Sequence, residues 1–518
     1  MTENLAMATV ISLTSHNRRL DRLETTVAAL VQRLDAETGQ HRDTARNGDD
    51  AGDSKYPSRR PSSPPADSAP VFMIRDAATG IGLESPSATQ ATPAHSHGVL
   101  ELAGISRQDA LSMVSMFAYH YGRWVRFDES ANPEHLLADL QNTPLLLCSV
   151  LLIAVRHISS TSATTSASVL LNEAQSLLAS SLLGVAADLS FFRSALILSL
   201  WSTTVGQAPL TMDGWLLTAY ALQQASVSSV FGSFTRKAPT YLDGDELDAW
   251  YIWNHLCLAH LQYCIGMQRK PAIAYTQIKQ HVRLFDKIQS SLRTNFEERM
   301  LAEIELYWII YDQSSSRTTD RREAERTLQN WRKEWTALFQ QPRSQFLVMG
   351  DHFALLLLAS RSKSRIANDD EALSELVRLS TSILNLFLNT DDDRIQHLTD
   401  HIYHIFTFAA ITLCRLLEAH EARLRKSHDV ASLDSLVSRL VLWLKSVGPK
   451  SHVAHMLGSV VASEQKRLRP ESQPTPIGSI ASVESLQYDS TLMFPDFFEA
   501  FDMDAESMWP TWDVGHIE

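Results

Sequence analysis

The 518-residue chain reads as all-α: a large helical domain flanked by a short coiled-coil helix and disordered segments. Three observations predict this. Only six prolines occur from Pro144 to Pro449, so long stretches are free of the residue that breaks helices. Asn132-Pro133 and Thr143-Pro144 each pair a capping side chain with proline at the first helical position. Apolar residues recur at helical spacing, whereas strand-like alternation is scarce.

Residues 1–36 form the first unit. Leu20, Leu23, Val27, Leu30 and Leu34 alternate spacings of three and four, the a/d seam of a two-heptad coiled coil. Arg18, Arg19, Arg22, Glu24, Arg33 and Asp35 surround it, and a homo- or heterodimer is the expected partner state. The competing reading is an amphipathic helix docked on its own chain. Residues 37–97 are rich in Pro, Ser, Thr, Ala, Asp and Gly, with too few large apolar groups to offset the entropy of ordering, and read as a linker. Gly80-Ile-Gly82 lacks the third glycine and the preceding strand of a dinucleotide loop.

Residues 98–468 form the helical body. Leu145 to Val155 is apolar all round, as a central helix requires, and too short to span a bilayer. Met300/Leu301, Ile304, Tyr307/Trp308 and Tyr311 make one apolar stripe, with Glu298, Glu303 and Glu305 expected outside it. Cys148, Cys257, Cys264 and Cys414 are widely separated or lie in apolar helical patterns, which fits reduced core thiols better than a disulfide framework.

Residues 469–518 close the chain. From Glu484 onward there are nine Asp or Glu, seven aromatics and no Lys or Arg. Phe494, Phe497 or Phe498, and Phe501 share one helical face, with Trp509 and Trp512 beyond as further anchors. The carboxylates repel one another and keep the rings available to a partner's groove. That is the profile of an activation segment seeking a coactivator or the general transcription machinery.

Motifs for catalysis are absent: no G-x-S-x-G elbow, no Walker loop, no H-E-x-x-H. Two groups have the residue types for zinc, Cys257/His260/Cys264 and His397/His401/His404, each on one probable helix face. Neither has the second element that a zinc site normally draws on, so core or surface histidines are the expectation. An all-α metal-dependent enzyme built on the second set is a remote alternative. The aromatics of Ala249 to Tyr263 fit a core or the lining of a pocket. A net charge of −13 argues against coating nucleic acid. No signal peptide is evident, and no membrane contact is expected.

Several segments in order are similar to the regulatory middle region of fungal zinc-cluster transcription factors. They are Ala110 to Trp124, Pro144 to His157, Phe191 to Trp201, Asp213 to Ala221 and Trp253 to Pro271. Ala302 to Tyr307 and Trp331 to Phe339 resemble the branch that regulates secreted-protease genes in filamentous fungi. The resemblance implies a nuclear, non-enzymatic transcription regulator. The family's DNA-binding head holds two zinc ions with six cysteines, beginning C-x2-C-x6-C. In this sequence no cysteine precedes Cys148, and residues 1–60 hold nine basic and nine acidic side chains. No cofactor is therefore expected in this chain, and DNA would be reached through a missing head or a partner. A headless cofactor or dominant-negative scaffold that pairs with an intact factor is the alternative.

Overall fold

A computed structural model describes residues 98–470, apart from 129, 159–160, 183–186, 207–210, 233–241, 243, 289–292, 316–320, 361–368 and 391–393. The predicted coiled-coil seam and the activation-segment anchors lie outside the described residues. Every regular element among the described residues is helical, in agreement with the all-α expectation.

The first half is built round α4 (Pro144–Val155), with α1 (Val99–Leu102), α2 (Arg107–Tyr121), α3 (Pro133–Gln141), α5 (Thr161–Ser181), α6 (Leu189–Leu200) and α7 (Ser202–Gly206) in its neighbourhood. Leu146 through Val155 are buried without a break, so α4 is apolar all round because it has no solvent face. Asn132 caps α3 by accepting from the Glu134 N–H at 2.9 Å, with Pro133 at the first helical position. Thr143 does not cap α4. Its hydroxyl turns back and donates to the Leu140 carbonyl, leaving proline alone to open the helix.

The middle holds α8 (Gly214–Val227), α9 (Gly244–Gly266) and α10 (Tyr275–Val282), followed by α11 (Asn295–Ser315), α12 (Arg321–Glu334) and α13 (Thr336–Phe339). Helix α9 packs on α6, α8 and α11. The α8–α9 crossing is tight at Gly214, where a Cβ would sit 2.1 Å from the Tyr263 ring. Tyr263 donates to the Ser199 carbonyl at 2.6 Å and shares a 2.8 Å hydrogen bond with Ser202 Oγ, tying α9 to the α6–α7 corner. The stripe on α11 is broader than the spacing predicts. Glu297 is buried, and Glu298, Glu303 and Glu305 are half-buried instead of outside, because neighbours cover both flanks of the helix.

The last part comprises α14 (Gln345–Ser360), α15 (Asp370–Leu388), α16 (Asp400–Leu424), α17 (Val430–Leu444) and α18 (Val453–Leu468). Helix α16 is long and apolar enough to cross a membrane by length and composition, but two thirds of that stretch is buried against protein, chiefly α15 and α18. It bends at His420, whose backbone is non-helical. Past α18, Arg469 is buried and donates to both oxygens of Asp434 on α17 (3.2 and 2.8 Å) and to Glu421 on α16. That fork secures the end of the helical body.

Candidate functional site

Five chain segments end on one buried polar cluster. Helix α2 delivers His120 and Tyr121 in its last turn, and the exit of α4 delivers Arg156 and His157. The 3-10 turn Ile395–His397 leads into Asp400 and Tyr403 of α16, and His452 caps α18. Trp201 and the amides of α7 form the remaining wall.

Tyr121 is the hub. Its hydroxyl lies 2.5 Å from His157 Nε2 and 2.9 Å from His397 Nδ1. One hydroxyl proton serves two imidazoles, so one of them receives it and the other must donate its own N–H. The His120 and His397 rings stack at 3.8 Å, with planes 22° apart. Trp201 meets Tyr121 edge-on and donates its indole N–H to the Leu398 carbonyl at 3.0 Å. His452 Nδ1 accepts from the Ala454 N–H, so its Nε2 carries the proton and donates to the Gln396 carbonyl at 2.9 Å.

Asp400 closes the floor. It accepts from the Thr203 and Thr204 N–H groups (2.7 and 3.1 Å) and from the Thr204 hydroxyl (2.5 Å). Burial still pushes its carboxyl up to about 6, against those hydrogen bonds. Burial lowers His157 and His452 to about 4 and His397 to about 2, with the neighbouring imidazoles and Arg394 adding to the effect at His397. The histidines are therefore neutral at neutral pH. Three buried nitrogens here, His120 Nδ1, His397 Nε2 and Arg156 Nε, have no hydrogen-bond partner among the described residues.

The structure disperses both groups that carried zinc-type residues. His397 turns to Tyr121, while His401 bonds the Tyr307 hydroxyl on α11 and packs edge-on to Phe353. His404 is half-buried, and loss of solvent around its ring lowers it to about 4. In the other group, His260 Nε2 accepts from the Ala272 N–H at 2.9 Å. Its Nδ1–H then donates to Thr218, whose hydroxyl donates onward to the Gly214 carbonyl. Both nitrogens are committed to protein. Among the described residues, no three His, Cys, Asp or Glu side chains are arranged to hold a metal ion. Ala249 through Leu261 are buried, so that aromatic run is core. All four cysteines are buried and free.

The cluster was not foreseen as a unit. Its only trace in sequence is polar rings at the ends of apolar helices, as in Tyr119-His120-Tyr121 and Arg156-His157. Three of the segments that resemble zinc-cluster factors supply it directly: Ala110 to Trp124 contains Tyr121, Pro144 to His157 ends on His157, and Phe191 to Trp201 ends on Trp201.

Residues 103–468, more than half of the chain, match the model of the middle domain of the transcriptional activator of proteases prtT. The chain belongs to this family. An uncharacterised transcriptional regulatory protein of Schizosaccharomyces pombe is 27% identical over 386 residues, covering 70% of each chain. The transcriptional activator of proteases prtT of Aspergillus clavatus is 26% identical over 380 residues, covering 72% of this chain and 56% of that one. The protein so named in Penicillium rubens is 26% identical over 395 residues, covering 74% and 57%. The chain thus spans little more than half the length of these two prtT relatives. No solved structure matches it. Membership in the prtT middle-domain family places the chain among regulators of transcription, and the matched span runs from the end of α1 to the end of α18.

Proposed function

We propose that this chain is a nuclear regulator of RNA polymerase II transcription, non-enzymatic, controlling extracellular protease or nutrient-utilisation genes. The family match over residues 103–468 carries the reading, and the names of the prtT relatives support the choice of target genes. Two flanking segments supply the means. Leu20, Leu23, Val27, Leu30 and Leu34 pair two chains, as a homodimer or with an intact zinc-cluster factor. Phe494, Phe497, Phe498, Phe501, Trp509 and Trp512 engage a coactivator or the general transcription machinery. No cysteine precedes Cys148 in this sequence, so contact with DNA falls to a zinc cluster outside it or on the partner.

Residues 470–518 tethered to a heterologous DNA-binding domain are expected to drive a reporter, and Phe497→Ala with Phe498→Ala to abolish that drive. A silent tether, or a double variant as active as the parent, removes the activating role. Pairing is tested by co-purification of two tagged full-length chains, or of one chain with an intact zinc-cluster factor. Leu23→Asp with Leu30→Asp should dissociate them. Recovery only with the intact factor would favour the cofactor role.

A further inference from the structure

Helix α11 carries Glu305, Trp308 and Asp312 at successive spacings of three and four, so they share one helical face. Tyr275, the first residue of α10, stacks on Trp308 at 4.5 Å with the ring planes 10° apart. Trp335, between α12 and α13, donates its indole N–H to Glu305 Oε2 at 2.9 Å. Glu334 beside it and Asp312 are exposed, while Tyr275, Glu305, Trp308 and Trp335 are half-buried. The outcome is a surface of aromatic faces set among carboxylates. A cation already sits on it, since Lys279 Nζ lies 5.2 Å over the Tyr275 ring. Lys279 is itself exposed, and its ammonium forms no ion pair among the described residues.

We propose that this surface is a seat for an arginine side chain of a partner protein, which displaces Lys279 from the Tyr275 ring. Lys279 shows that the ring face has room for a cationic side chain and attracts one. The charge balance favours a second cation. Burial, and then the carboxylates of Glu305, Glu334 and Asp312, raise the Tyr275 hydroxyl, and Lys279 is the cation acting on Glu305. A guanidinium suits the site better than an ammonium. It is planar, lies flat on an aromatic face and forks to a carboxylate, whereas an ammonium is a strongly hydrated point charge. The same carboxylates repel phosphates, which excludes nucleic acid.

The exchange gives up little. An exposed cation–π contact is worth about two- to fivefold in binding, and the released ammonium regains its full hydration. The incoming guanidinium keeps the ring contact and adds hydrogen bonds to carboxylate oxygens. Asp312 and Glu334 are open to it, because neither has a hydrogen-bond or ion-pair partner among the described residues. Lys279 therefore acts as a stand-in that holds the seat in the free chain and sets a threshold for the partner.

The test uses the full chain and a fluorescein-labelled peptide of alternating Gly and Arg, read by fluorescence anisotropy. Peptides with Lys or uncharged citrulline in place of Arg are the controls. The acidic residues from Glu484 onward also attract a basic peptide, so variants of the seat decide the matter. Lys279→Ala should tighten Arg-peptide binding about threefold, and Asp312→Asn with Glu334→Gln should weaken it about fivefold. Tyr275→Leu should weaken it by a similar factor, whereas Tyr275→Phe keeps the ring and should bind like the parent. In chains with 13C-dimethylated lysines, the Lys279 resonance, identified by its loss in Lys279→Ala, should move as it leaves the ring. The proposal is overturned if citrulline binds as tightly as Arg, if Lys279→Ala leaves affinity unchanged, or if Tyr275→Leu matches Tyr275→Phe. A Lys peptide as tight as the Arg peptide would overturn the assignment to a guanidinium. These readouts are independent of reporter activity, so the seat and the transcriptional role stand or fall separately.

Discussion

Asp400 and Thr204, 196 residues apart in sequence, are joined twice: Asp400 accepts both the backbone N–H and the hydroxyl of Thr204. The first turn of α16 thereby supplies the hydrogen bonds that the short helix α7 cannot make for its own leading amides. Asp400→Ala should destabilise the protein by about 3 kcal/mol, since buried donors lose their acceptor. Asp400→Asn keeps an acceptor oxygen and sheds a carboxylate that burial disfavours, so it should cost less. Urea unfolding of the two variants checks the order, and an Asn variant as weak as the Ala variant would contradict it.

Acid should weaken the fold. Burial lowers His157, His260, His404 and His452 to about 4, His255 and His401 to about 3, and His397 to about 2. Each holds fewer protons folded than unfolded, so its contribution is complete above the unfolded value of about 6.5 and is lost as pH falls below it. Asp400 and Glu303, raised to about 6 and about 7, act in the opposite sense and lose stability as pH rises toward those values. Seven histidines outweigh two carboxyls. Melting temperature by circular dichroism should fall steadily from about pH 6.5 to about pH 4.5. A flat profile there would refute the buried, neutral histidines.

Gly214→Ala places a methyl group against the Tyr263 ring, and the α8–α9 crossing has no room to part without loosening Ser199 and Ser202. A loss of about 2–3 kcal/mol is expected. Adding Tyr263→Leu should recover part of it, giving a double variant less damaged than the sum of the single changes. Strict additivity would show that the close approach is not the cause.

None of the cysteines should behave as a reactive thiol. Burial raises Cys148, Cys264 and Cys414 to about 12 and Cys257 further still, so little thiolate is present at neutral pH. Aromatic-disulfide titration of the native protein should proceed slowly, and all four should react promptly in denaturant. One fast native thiol would mark a cysteine outside the core.

What sequence could reveal follows from the distance over which each signal acts. Uniform apolarity announces α4, and Asn132-Pro133 announces α3, because both are written in adjacent residues. Thr143 misleads because a hydroxyl can bond forward to an amide or back to a carbonyl, and local sequence does not choose. Glu303 and Glu305 read as solvent-facing from their helix alone, and only neighbouring helices half-bury them. His397 shows the limit. Its sequence neighbours His401 and His404 suggest a shared face, while its actual partner, Tyr121, lies 276 residues away. Helical periodicity carries no information across that span.

The fork at Arg469 has a mechanical consequence. A load applied through the chain beyond residue 470 arrives first at a guanidinium gripped by Asp434 and Glu421, on two different helices. Tension is therefore shared by α16 and α17 before any of it can peel α18 from its end. Whatever seizes the segment downstream pulls on a clamped strap, and the end of α18 is shielded from the tug.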